Sequence, residues 1–252
     1  MRHRSFLFPR IGHLCARTGR PVAGAVLAVL FLAGCQSGPK VTIDWQGGPF
    51  FTPTNFVGLA ELPPEIRRVA LLPLSGLEGL PAESVAALEA AARTALLGTG
   101  RFEVVPVDAA LVRAVAGKPA VSSVELLPPS LFERIVRDQA ADAVLLVDVT
   151  LYRPYPPLAL GVRVKLAGSQ GSRPILWAFD TVFDARQPAV ANSARRHASG
   201  GHSGLVDPGP TALQSPSRFA AYVFTDTFAA LPKRPEPVSP IVPAKVSRPR
   251  AD

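Results

Sequence analysis

Three carboxylates, Asp148, Asp180 and Asp184, fall on consecutive segments with the composition of β-strands. Paired acids of this kind are the groups that hydrolyse glycosidic bonds. Arg163 and Lys165, on the segment between them, can pair with Asp148 and Asp180 across strands, so the sequence reads these acids as the solvated face of a sheet. His197 and His202 stand five apart in a Gly/Ser-rich stretch, whereas metal-binding pairs on a helix need three or four. No Cys or acidic cluster accompanies them, so they read as loop residues and no metal site is expected. Gly200-Gly201-His202-Ser203-Gly204 lacks the GxSxG spacing of a nucleophile elbow. Gly117-Lys118 has no glycine five positions upstream to cradle a phosphate, and Gly98 and Gly100 close a helix rather than open one. No catalytic residue and no cofactor are expected, and the chain reads as a non-enzyme.

One residue does carry a specific chemistry. Arg2, Arg4, Arg10, Arg17 and Arg20 precede an apolar run, Pro21–Leu32, too short for the roughly 20 residues a spanning helix needs. Leu32-Ala33-Gly34-Cys35 then places two slim residues before a thiol. Small side chains suit a peptidase cutting between Gly34 and Cys35, and the thiol is the nucleophile that takes a diacylglycerol. Residues 1–35 thus resemble the signal and lipobox of bacterial lipoproteins. The resemblance implies covalent lipid on Cys35, and Gln36, in place of the Asp that retains such proteins at the inner membrane, implies the outer membrane. Each buried CH₂ contributes about 0.8 kcal/mol, so two or three acyl chains hold where one does not.

This signal corrects the composition. Of two cysteines, Cys15 leaves with the signal and Cys35 is acylated, so no disulfide is expected. The net charge of +8 falls to +3 without the signal arginines, and that remainder sits beyond Pro232, in Lys233, Arg234, Lys245, Arg248 and Arg250 against Glu236 and Asp252. The pI near 10.2 therefore gives no support to nucleic-acid binding.

The elements that would position these residues follow from periodicity. Val41–Leu62, rich in Gly, Pro and aromatics, reads as an arm packed on the domain and covering a sheet edge, with a membrane-interface role for Trp45, Phe50, Phe51 and Phe56 as the alternative. Arg67–Leu72 is a buried strand stopped by Pro73, and Glu83–Leu97 is a helix. Arg101–Val107 is a strand whose Pro106 marks its end or a sheet edge. Asp108 caps a short helix, and Ser130-Leu131-Phe132-Glu133 fits a capping box opening the next. Asp142–Tyr152 is a central strand. Leu158–Ala167 and Ile175–Phe183 alternate as half-exposed antiparallel strands, with Ile175, Trp177, Phe179, Thr181 and Phe183 on one face. Pro188–Arg196 is helical, Ala198–Pro216 a long loop, and Ser215-Pro216 starts a last helix ended by Pro232.

The expected architecture is an α/β (α+β) single domain: a mixed sheet of about five strands in the order β-α-β-α-α-β-β-β-α-α, with packed helices. The organisation is a lipoprotein signal peptide over 1–34, a lipidated N-terminus and arm over 35–64, the α/β domain over 65–231, and a disordered Pro-rich basic tail over 232–252. Arg68–Leu74, Gly98–Val105, Ala141–Leu146 and Ile175–Ala178 resemble the corresponding stretches of a periplasmic α/β domain. That domain is shared by the TolB N-terminal domain, the curli-secretion lipoproteins and the lipoprotein activators of penicillin-binding proteins. The resemblance implies a non-catalytic envelope lipoprotein that docks a periplasmic or cell-wall partner, with an outer-membrane export-pore subunit as the alternative. A pore would need a spare amphipathic hairpin, and the two alternating segments are both required by the domain's own sheet.

Overall fold

The computed structural model describes residues 48–200 and 209–235; the signal, Cys35, His202 and the tail beyond Pro235 lie outside the described residues. The strands are β1 (Phe56–Gly58), β2 (Arg68–Leu71), β3 (Glu103–Pro106), β4 (Ala143–Arg153), β5 (Ala159–Gly168) and β6 (Ile175–Asp184). The helices are α1 (Ala82–Gly98), α2 (Ala109–Ala116), α3 (Pro129–Gln139), α4 (Pro188–Ala198) and α5 (Pro216–Ala229). They form one mixed sheet in the order β1-β6-β5-β4-β2-β3. β2 pairs in parallel with both β3 and β4, and β4, β5, β6 and β1 are antiparallel neighbours. The sheet thus has six strands rather than about five. The sixth is the arm, whose Phe56–Gly58 lies along β6 and covers that edge. Gly58 is required there, because a Cβ would sit 2.7 Å from the Leu176 carbonyl.

Local chemistry sets most boundaries. The Asp142 carboxylate accepts the backbone N–H groups of Arg67 and Arg68, each at 2.9 Å, and so fixes where β2 begins. Asp108 caps α2 by accepting from Ala110 N at 2.7 Å, and Ser215 caps α5 with Pro216 in its first turn. The Ser130–Glu133 capping box does not form. Pro128 is the N-cap of α3 and makes no side-chain cap, so Ser130 falls inside the first turn, past the position from which its hydroxyl could serve. α4 extends to Ala198, and Gly209–Leu213 forms a 3-10 turn inside the stretch read as loop.

Two bulges modify the alternation read from sequence. Leu166 pairs with Trp177 but Ala167 pairs with Ile175, so Leu176 is extra and Ile175 turns to the opposite face from Trp177, leaving it 55% exposed. Thr150 is the corresponding extra residue of β4.

Two hydrophobic clusters lie on the two faces. On the first, α1, α4 and α5 cover the sheet through Leu88, Leu96, Val190, Phe219, Val223 and Phe228. Phe183 is its aromatic hub, 5.2 Å from Phe51 of the arm, 5.7 Å from Tyr222 and 6.5 Å from Phe179. Such pairs add about 0.5–1.5 kcal/mol beyond the area they bury. On the second face, α2 and α3 bury Val112, Leu131, Phe132 and Ile135 against Ala70, Leu72, Val144 and Leu146. They cover only the β3-β2-β4 half.

Candidate functional site

The three acids do not converge into a hydrolytic pair. Asp180 is held by Arg163, Nε to Oδ2 at 2.7 Å, the cross-strand pair expected of a sheet face. Asp184 is held by Arg186 at 2.6 Å and Arg153 at 2.9 Å, and the Arg186 hydrogen bonds draw its pKa down to about 2. Asp148 departs from the expectation of a solvated residue. It is buried, and although Arg163 is its register partner, it makes no ion pair with it. It accepts from the hydroxyls of Ser75 at 2.6 Å, Ser123 at 2.6 Å and Ser122 at 3.1 Å, and from Ser123 N at 2.9 Å. A carboxylate surrounded by donors in this way is a clamp on the loop before α3. No spacing in the sequence links Ser75, Ser122 and Ser123, so only the fold shows this cluster.

His197 is on the last turn of α4, not in a loop. Its ring is 6.1 Å from the Tyr222 ring, and burial lowers its pKa. Ser193, one turn before it, accepts from Phe51 N at 2.9 Å and so fastens the arm to α4. On α5, the buried Tyr222 hydroxyl lies near Ser193 and Asp226 without a hydrogen bond of good geometry to either. Burial pushes the Asp226 carboxyl up to about 6 and the Tyr222 phenol upward as well. Asp226 and Tyr222 fall within the last helix read from the sequence, whose spacing alone does not show that their polar groups are buried together. Among the described residues, no group of three or more His, Cys, Asp or Glu is placed to hold a metal ion.

What the fold assembles instead is a half-bare sheet face. Cross-strand rows run from the covered half to the open one: Val144–Ala167–Ile175, Leu146–Lys165–Ala178–Val57, Asp148–Arg163–Asp180, and Leu151–Gly161–Val182. At the β4 end Val144 and Leu146 are buried under α3; at the far end Val57 is 73% and Val182 45% exposed. Arg163 and Lys165 stand between. The loop clamped by Asp148 forms one wall: Lys165 Nζ donates to Ser123 O at 2.8 Å, and Val124 lines a hollow of about 290 Å³ with Phe56, Val57 and Lys165. A second hollow, of about 280 Å³, shares Arg163 and is lined by Lys118, Glu125 and Asp148. The face offers apolar contacts around an ion pair and a cation, which is chemistry for recognition.

No protein-family model matches the chain, and no curated protein matches it by sequence. Among solved structures, the PelC dodecamer from Paraburkholderia phytofirmans is similar at 14% identity and TM-score 0.37, over 67% of this chain and 94% of that one. The lipoprotein GNA1162 from Neisseria meningitidis is similar at 16% identity and TM-score 0.32, over 46% of this chain and 79% of that one. The LpoB C-terminal domain from Salmonella enterica is similar at 17% identity and TM-score 0.30, over 55% of this chain and 97% of that one. Likenesses at this level assign no family. Among the described residues, no helix is long and apolar enough to cross a membrane.

Proposed function

We propose that the chain is a non-catalytic lipoprotein of the cell envelope. In this reading acyl chains on Cys35 hold it at the outer membrane, and its domain docks a periplasmic protein or cell-wall partner through the open half of the sheet. The Leu32-Ala33-Gly34-Cys35 signal supports the anchor. The observation that carries docking is the set of rows ending in exposed Val57, Ile175 and Val182 around Arg163 and Asp180. Exposed apolar side chains grouped around an ion pair can bury area against a partner while the charges fix its orientation.

The test is the native mass of the full-length lipidated protein extracted in mild detergent from its own host, beside a Val57→Glu/Val182→Glu variant. A small complex with a second envelope component, lost in the variant while lipidation and folding persist, supports the reading. Retention of that component by the variant would remove the sheet face as the docking site. A large homomeric ring would overturn docking in favour of an export-pore subunit.

A further inference from the structure

α1 and α5 lie side by side on the first face, and between them runs an apolar groove of about 720 Å³ on the outside of the domain. Ala87, Ala91, Thr94 and Ala95 form one wall, and Ala221 and Thr225 the other. Arg101 stands at one end. Its guanidinium donates to the carbonyls of Phe228 at 3.2 Å, Ala229 at 3.0 Å and Leu231. The chain leaves the domain at this same end: Arg234 Nη1 donates to Arg101 O at 2.7 Å, and the Lys233 backbone pairs in parallel with that of Glu61.

The residues that follow have a period matched to a groove. Pro237, Pro240 and Pro243 recur every third position, as do Val238, Ile241 and Ala244. A polyproline II helix has three residues per turn, so this spacing lays one proline ridge and one apolar ridge along the segment. At 3.1 Å per residue, Pro237–Pro243 spans about 19 Å. The groove from Ala87 to Gly98 is about 17 Å long at 1.5 Å per helical residue. Pro237 follows Arg234 by three residues, a reach of about 10 Å.

We propose that the chain's own segment Pro237–Pro243 docks in the α1–α5 groove, its apolar ridge against the alanines, leaving Lys245, Arg248 and Arg250 beyond it. The segment is tethered at the mouth, so its effective concentration there is high and a weak intrinsic affinity suffices. Small side chains on both helices let an extended backbone approach closely. This inference concerns the face opposite the bare sheet and stands independently of the proposed function.

The experiment uses the full mature chain with Cys35→Ser, so that an introduced Thr94→Cys carries the lone thiol. Thr94 is exposed on the groove wall. The rate of its modification by a bulky maleimide is compared with that in an Ile241→Asp/Val238→Asp background. Docking predicts at least a tenfold faster reaction in the tail variant, with Leu97→Cys, exposed elsewhere on α1, reacting equally in both. Equal rates at Thr94→Cys would overturn the proposal. A photo-crosslinker at Thr225 supplies the second readout: adducts within one chain to residues 236–244 support it. Adducts between two chains assign the groove to a second copy, and adducts to neither overturn it equally.

Discussion

Ser75 Oγ donates to Asp148 Oδ1 across 2.6 Å, and this bond joins the loop leaving β2 to the middle of β4. The backbone reinforces it, with Ser75 N donating to Val147 O at 3.0 Å and Val149 N to Ser75 O at 2.9 Å. Because the same carboxylate also gathers Ser122 and Ser123, one side chain ties two loops to one strand. Asp148→Ala leaves three hydroxyls and an N–H without their acceptor, and is expected to lower stability by about 1–3 kcal/mol in urea denaturation. Asp148→Asn keeps one acceptor oxygen and should lose less. Limited proteolysis should cut faster near Glu125 in both.

Gly76, next to that bond, has φ of +75°, and a Cβ there would lie 2.2 Å from the Val149 carbonyl oxygen. Gly76→Ala combines a disfavoured backbone with a clash against backbone that cannot turn away. A loss of about 3 kcal/mol or more is expected by thermal or chemical denaturation. The loss should accompany the same loop exposure as Asp148→Ala.

Arg101 donates to the Phe228 and Ala229 carbonyls at the end of α5, where no further helical turn supplies N–H donors, and Phe228 O also accepts from Leu231 N at 3.2 Å. Arg101→Ala should cost about 1–3 kcal/mol. Hydrogen exchange at Ala230 and Leu231 should rise before the rest of α5 responds. Arg101→Lys, with a single charged nitrogen in place of the planar fork, should recover only part of this.

Two carboxyls set opposing pH responses. Asp184 is drawn down to about 2 by hydrogen bonds from Arg186, so its stabilisation is present above its ordinary value near 3.8 and is lost as pH falls through 2. Asp226 is pushed up to about 6 by burial, so its contribution is present below 3.8 and is lost as pH rises through 6. Their sum peaks near about pH 4. Denaturation midpoints across the acid range should show both limbs. Asp184→Asn should flatten the lower one and Asp226→Asn the upper.

Cys35→Ser removes the thiol proposed to carry the acyl chains. The expected outcome is a chain no longer carrying lipid, recovered from the aqueous phase of a detergent partition. Intact-mass analysis of the wild type should show acyl mass on a chain beginning at Cys35. A wild type without that mass would remove the anchor.

How much of this the sequence discloses depends on the range of the interaction. Strands β2 to β6 and all five helices are visible because period and punctuation are local: Pro73 and Pro106 stop strands, and Asp108 and Ser215 cap helices. The Ser130–Glu133 motif fails because Pro128 and Pro129 already fix the helix start two residues earlier. Ile175 changes face because a bulge, set by pairing with β5, is invisible from β6 alone. The Arg163–Asp180 pair is legible from cross-strand parity, yet the burial of Asp148 is not, since three serines from two distant loops create it. The open face of β5 and β6 is legible from their alternation, but that α2 and α3 stop short at β4 is not, since it depends on how far those helices reach.

The arm and the exit strand meet at the Glu61–Lys233 bridge, which is parallel, with Leu62 N donating to Lys233 O at 2.7 Å. A pull from the N-terminal side meets Phe51 and β1 before it reaches Glu61, whereas a pull from the C-terminal side meets Lys233 first. Because the paired segments run in the same direction, such a pull acts along them and loads the contact in shear rather than peeling it open. The contact of Leu62 with Lys233 therefore comes under load first from the C-terminal side, and from the N-terminal side only after β1 has left β6 and Phe51 has left Phe183.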